Sequence, residues 1–264
     1  MKRFFFIFIL ILIVFLHLPG CFAMSEEEKG FEIVKEADRR SSGYIDFTAE
    51  MRMILRNRNG DESERAVKIK NFEITDDGDK TLSFFTSPRD VKGTSFLTFA
   101  HKVGDDDQWL YLPSLKRVKR ISSSNKSGSF MGSEFSYEDI APQEVEKYTY
   151  KWIKDEMFNE MECFVIERYP VDKKNSGYSK QIVWIDKQEY RTLQVKYFDR
   201  KGFHLKTLAL NKHKQFLDKF WRSTEMVMVN HQNGKSTDLY QYNYKFQVGL
   251  KENEFSKNGL KSLR

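Results

Sequence analysis

The most basic run in this 264-residue chain is Lys116-Arg117-Val118-Lys119-Arg120. Read as a strand it alternates, with Arg117 and Lys119 on one face and Lys116, Val118 and Arg120 on the other. Arg117, Lys119 and Arg120 suit a phosphate or other anionic head group, which a guanidinium grips through parallel hydrogen bonds. A charged edge strand that discourages aggregation would have the same pattern. Reactive chemistry finds less support. Beyond the N-terminal stretch the histidines stand at 101, 204, 213 and 231, none paired with a Cys, Asp or Glu at metal-ligand spacing. The run Asp105–Asp107 lacks the alternating ligands and distal Glu of a calcium loop. There is no G-x-S-x-G elbow, no phosphate-binding P-loop and no dinucleotide glycine fingerprint. The serines of 122–136 have no evident partner base. These observations predict a binding protein without catalytic residues, metal or cofactor.

The apolar residues say what it would bind. Phenylalanine occurs 23 times, six of them at 4, 5, 6, 8, 15 and 22. Many of the other aromatic residues fall in strand-like alternation, among them Phe84, Phe96, Trp109 and Tyr111. Any filled β core shows such a set. Met51, Met53, Met131, Met226 and Met228 add soft side chains able to line a cavity for a flexible acyl chain. Phe84, Phe96, Trp109 and Tyr111 are the expected walls of that cavity. Phe130, Met131 and Phe135, set among acids in 130–140, are the expected lid, hinged at Ser127-Gly128-Ser129.

The elements that must position these groups are mostly strands. Residues 26–40 predict a helix, with acids in its first turn and Arg39-Arg40 in its last. From Tyr44 the period changes to two: Ile45, Phe47, Ala49, Met51, Met53 and Leu55 alternate with mostly polar neighbours. Asn59-Gly60-Asp61 reads as a hairpin turn. Strands are expected near 65–74, 80–86, 93–101, 108–112 and 116–120, and again at 148–155, 161–170, 180–186, 191–200, 203–211, 219–230 and 236–247. The expected fold is mainly β (α+β), eleven to thirteen strands in one large, curved antiparallel sheet or barrel. The N-terminal helix and the central segment 122–147, which lacks strand alternation, are the available covers.

Residues 1–23 read as a signal peptide, leaving 24–264 as a single domain. Met1-Lys2-Arg3 is a short basic start, and Phe4 to Leu16 is an apolar run of thirteen residues, short of the roughly 20 a membrane helix needs. The chain is therefore expected to be exported. Cleavage after Ala23 and lipidation of Cys21, within Leu18-Pro19-Gly20-Cys21, both stay open, the second giving an outer-membrane lipoprotein. Removing Lys2 and Arg3 lowers the formal charge from +6 to +4. That is compatible with transient contact with an anionic membrane and too dispersed for nucleic acid. With Cys21 gone, Cys163 has no partner for a disulfide and reads as a small buried hydrophobe.

The stretch 107–139 carries a resemblance. Trp109-Leu110-Tyr111-Leu112-Pro113, then Leu115 to Ile121, then Ser129-Phe130-Met131-Gly132-Ser133 and Phe135-Ser136-Tyr137-Glu138-Asp139 resemble the signature of the bacterial outer-membrane lipoprotein-sorting-like family, related to the LolA and LolB carriers. The resemblance implies a half-open antiparallel β-barrel closed by helices. Its hydrophobic cavity would hold lipid or lipoprotein acyl chains, and an inner-membrane transporter of the resistance–nodulation–division type would be a partner. An envelope sensor of the same fold, or a structural outer-membrane lipoprotein, are the alternatives.

Overall fold

The computed structural model describes residues 24–261. The expected signal peptide and the Cys21 anchor lie outside the described residues. Helix α1 (Glu26–Ser41) begins at a capping box: the Ser25 hydroxyl accepts from the Glu28 amide, and the Glu28 carboxylate accepts from the Ser25 amide. Glu26, Glu27 and Glu28 in the first turn and Arg39 and Arg40 in the last match the helix dipole.

Six strands follow: β1 (Asp46–Arg56), β2 (Glu62–Phe72), β3 (Lys80–Ser87), β4 (Ser95–Phe99), β5 (Asp107–Leu112) and β6 (Arg117–Ile121). The central segment carries only short turns of helix, including α2 (Tyr137–Ile140). The second run is β7 (Tyr148–Phe158), β8 (Met161–Pro170), β9 (Tyr178–Asp186), β10 (Thr192–Asp199), β11 (His204–Phe216), β12 (Phe220–Asn230) and β13 (Ser236–Phe246). All thirteen form one sheet in the order β6-β5-β4-β3-β2-β1-β13-β12-β11-β10-β9-β8-β7. Every pairing is antiparallel, because each run is a meander and the last strand returns beside the first, Met53 opposite Leu239. The two free edges are therefore β6 and β7, the strands that flank segment 122–147.

The sheet is open but strongly curved. Laid flat, thirteen strands would span about 58 Å at ~4.8 Å per strand. Yet one buried cluster contains Ile121 from β6, Phe96 from β4, Met53 from β1, Met228 from β12 and Ile166 from β8. Such a cluster requires the sheet to wrap around a concave interior. Segment 122–147 fills one part of that interior, and α1 covers another. The helix lies across β7 at Gly30, where an added Cβ would sit 2.7 Å from the Trp152 amide nitrogen; only glycine permits the approach.

The convex side is covered too. A second cluster packs Leu82 and Leu97 beneath Phe255 and Leu260 of the C-terminal stretch. A third contains Cys163, fully buried among Val165, Trp184 and Leu193. Burial pushes its thiol up to about 11.

Candidate functional site

Segment 122–147 leaves the β6 edge, crosses the concave interior and returns to β7. Its turning point is a tight loop in which the Phe130 amide donates to the Phe135 carbonyl at 2.7 Å, with Ser129 and Ser136 bridged outside it. Phe130 is driven into the core against Phe96, Tyr137 and Phe85, with ring centroids 5.1, 5.7 and 6.0 Å away. Phe135 is buried in the same cluster, and Met131 lies half-buried at its margin.

The acids that follow are anchors. Ser136 caps α2. Glu138 accepts from the Ser176 hydroxyl at 2.9 Å and the Gly177 amide at 3.0 Å, its carboxyl pushed up by burial. Asp139 accepts from Lys206 at 2.6 Å and from the Tyr178 hydroxyl at 2.9 Å. The Lys206 ammonium also faces the rings of Tyr178 and Tyr197. At the tip, Arg65 donates to the Met131 carbonyl, and Glu134 accepts from Asn230 at 2.7 Å. The expected hinge is itself tied down: the Gly128 amide donates to Asn125, and the Gly128 carbonyl accepts from Tyr137. In this structure these hydrogen bonds hold the segment in place as a plug.

The structure divides the expected wall. Phe96 joins Phe130 and Phe135 on the concave face. Trp109 and Tyr111 point the other way, into the cluster beneath Phe255 and Leu260. Phe84 shares their face, since it pairs with Ser95, whose hydroxyl donates to the Leu260 carbonyl. Strand alternation separates two faces without saying which is concave, and both faces of β3–β5 are covered here. Arg117, Lys119 and Arg120 are exposed on the free edge strand β6, with Arg120 paired to Asp107. They line none of the interior space described below.

That space lies between α1 and the concave faces of β8–β13, a cavity of about 450 Å³. Val34 of α1, Val183, Ile185, Leu210, Met226 and Tyr244 form its apolar walls. Of the methionines singled out from the sequence, Met226 lines it, while Met53 and Met228 are fully buried in the core. Arg168, Arg222 and Gln241 are among its polar groups, with His213 kept towards neutrality by burial and by Arg191. The cavity depends on a helix meeting six strands far away in the chain, so only the Met226 and Met228 alternation hinted at it.

A wider depression of about 910 Å³ adjoins it and shares Asp38, Gln143, Val145 and Arg222. Asp38, Glu73, Asp79, Glu144 and Glu146 make it acidic. Burial holds Asp79 at about 6, and burial together with Asp79 holds Glu144 at about 7. Among the described residues no cluster of His, Cys, Asp and Glu could hold a metal ion.

This geometry can be set against known proteins. The outer membrane lipoprotein-sorting protein domain from Vibrio parahaemolyticus is 55% identical and superposes with a TM-score of 0.87, over 89% of this chain and 99% of that one. This chain belongs to the outer-membrane lipoprotein-sorting protein family. A DUF1329 family protein from Desulfovibrio piger is 29% identical, with a TM-score of 0.84 over 89% of this chain and 99% of that one. A LolA superfamily protein from Nitrosomonas europaea shares the fold at 18% identity, with a TM-score of 0.70 over the same shares of the two chains. A family model described as "-like: Uncharacterized protein" matches residues 77–262. No curated protein matches the sequence.

Proposed function

We propose that this protein is a non-enzymatic periplasmic carrier that holds lipid or lipoprotein acyl chains in the cavity beneath α1 and hands them toward the outer membrane. Residues 1–23 would be the export signal and 24–264 the carrier domain. The observation that carries the reading is the apolar-walled space of about 450 Å³ inside the concave sheet. Small-ligand sites commonly measure about 300–1,000 Å³. The Vibrio relative, described as a lipoprotein-sorting domain, supports the same reading.

Binding would rest on water exclusion, at roughly 0.8 kcal/mol per buried CH₂. Capture at that strength makes release the controlled step, and a transporter of the resistance–nodulation–division type is the proposed partner for it. Phe96, Phe130 and Phe135 act in this reading as the fixed floor that keeps the sheet curved. The exposed Arg117, Lys119 and Arg120 contact the anionic membrane during delivery.

Protein purified without detergent should yield acyl lipids in organic extracts analysed by mass spectrometry, in amounts approaching one ligand per chain. Extracts without lipid, together with no uptake of acyl probes by the delipidated protein, would overturn the proposal.

A further inference from the structure

We infer that the cavity beneath α1 selects anionic amphiphiles, with Arg168 and Arg222 gripping a carboxylate or phosphate head group while the chain lies along the apolar wall. The inference rests on the carrier reading above and adds the class of cargo.

The cations around the cavity are paired unequally. Four arginines border the cavity: Arg40, Arg168, Arg191 and Arg222. Arg40 is paired with Glu36 and Arg191 with Asp186, each at 2.7 Å. Lys206, deeper in the fold, is paired with Asp139. Among the described residues, neither Arg168 nor Arg222 has a carboxylate within ion-pair distance. Arg168 donates its Nε hydrogen to Gln181 at 2.7 Å and stacks over Tyr148. Arg222 donates to the backbone carbonyls of Trp221 and Ser41 and faces the rings of Tyr44, Phe220 and Phe246. Each still has guanidinium N–H groups to spare, since arginine carries five.

Arg168 and Arg222 are half-buried, and a charge partly withdrawn from water is stabilised by a counter-charge. The two carboxylates bordering the cavity do not supply one. Glu189 is occupied by the Trp221 indole at 3.1 Å, and the Asp38 carboxyl is raised by burial and by Glu146. An incoming anion would complete the set, and the planar fork of a guanidinium fits carboxylate and phosphate oxygens alike. The acidic depression next door, with Glu73, Asp79, Glu144 and Glu146, would repel that anion and keep its head at the arginines.

The test compares three probes with one acyl chain on the delipidated protein: dibrominated stearate, its uncharged glycerol monoester, and the lysophosphatidic acid bearing the same chain. Binding is followed by quenching of tryptophan fluorescence, to which Trp221 at the cavity border contributes. The expected result is at least roughly 10-fold tighter binding of an anionic probe than of the monoester, as a charge-assisted contact warrants. The tighter of the two anions then names the head group. R168M should bring the anion to the level of the monoester; R222M should weaken the anion in the same sense. Equal binding of anion and monoester to the wild-type protein overturns the inference and leaves the carrier reading standing, whatever the variants' folding. Binding of no probe overturns both.

Discussion

At the scale of single residues, the Lys206–Asp139 pair explains why the plug stays seated. Their side chains are only 5% and 3% exposed, and Asp139 has its oxygens occupied by Lys206, Tyr178 and the Ser136 amide. Removing one partner strands the other charge, which costs about 3–5 kcal/mol, whereas an apolar pair of similar volume is far better tolerated. Denaturant unfolding should therefore show D139N and K206M each losing about that much, with the joint K206M/D139L protein recovering most of it. Single variants within about 1 kcal/mol of wild type would show that the pair does not hold the plug. The acids of this stretch were visible in the sequence, but their partners were not: Asp139 and Lys206 are far apart in the chain. Trp109 shows the converse limit. Its alternation was plain, yet its side of the sheet depends on Phe255 and Leu260, which arrive from the far end of the chain.

At the scale of elements, period and turn chemistry carried most of the reading. Helix α1 and the strands emerge within a few residues of their expected bounds, and the basic run is a strand, β6. What period could not show is how elements meet, as Gly30 against β7 does. The acidic depression is another such meeting, between the C-terminal half of α1, the β2–β3 turn and residues 142–146. Asp79 at about 6 and Glu144 at about 7 hold protons more tightly than in the unfolded chain, principally through burial. Their contribution therefore favours the folded state at low pH and declines as pH rises from about 4 through 7. Asp38, raised in the same way, and His101, raised by Asp77, act in the same direction. His204 and His213, lowered by burial, oppose them. The D79N/E144Q protein isolates the carboxylates. Between about pH 5 and pH 8 its denaturation midpoint should fall less than that of wild type. An equal or greater fall would remove these two groups from the account.

At the scale of the whole molecule, two meanders share one continuous sheet, joined at β1 and β13 and left open at β6 and β7. Each free edge is managed differently. Exposed Arg117, Lys119 and Arg120 discourage strand addition at β6, while α1 packs against β7. The Lys126–Asp172 pair at 2.7 Å and the Lys147–Asp106 pair draw segment 122–147 between the two edges. Mainly β architecture, one large curved sheet with helical cover, was legible from alternation; where the interior space lies was not, since it arises from contacts among strands distant in the chain. The central claim is that this interior, and not the convex aromatic cluster, receives the acyl chain. Four tryptophans, at 109, 152, 184 and 221, allow a direct test. Two proteins, one retaining only Trp221 and the other only Trp109, with the rest replaced by Phe, would be titrated with a dibrominated acyl chain. Saturable quenching of Trp221, with Trp109 unaffected, is the predicted result; quenching of Trp109 with Trp221 unchanged, or of neither, would contradict it.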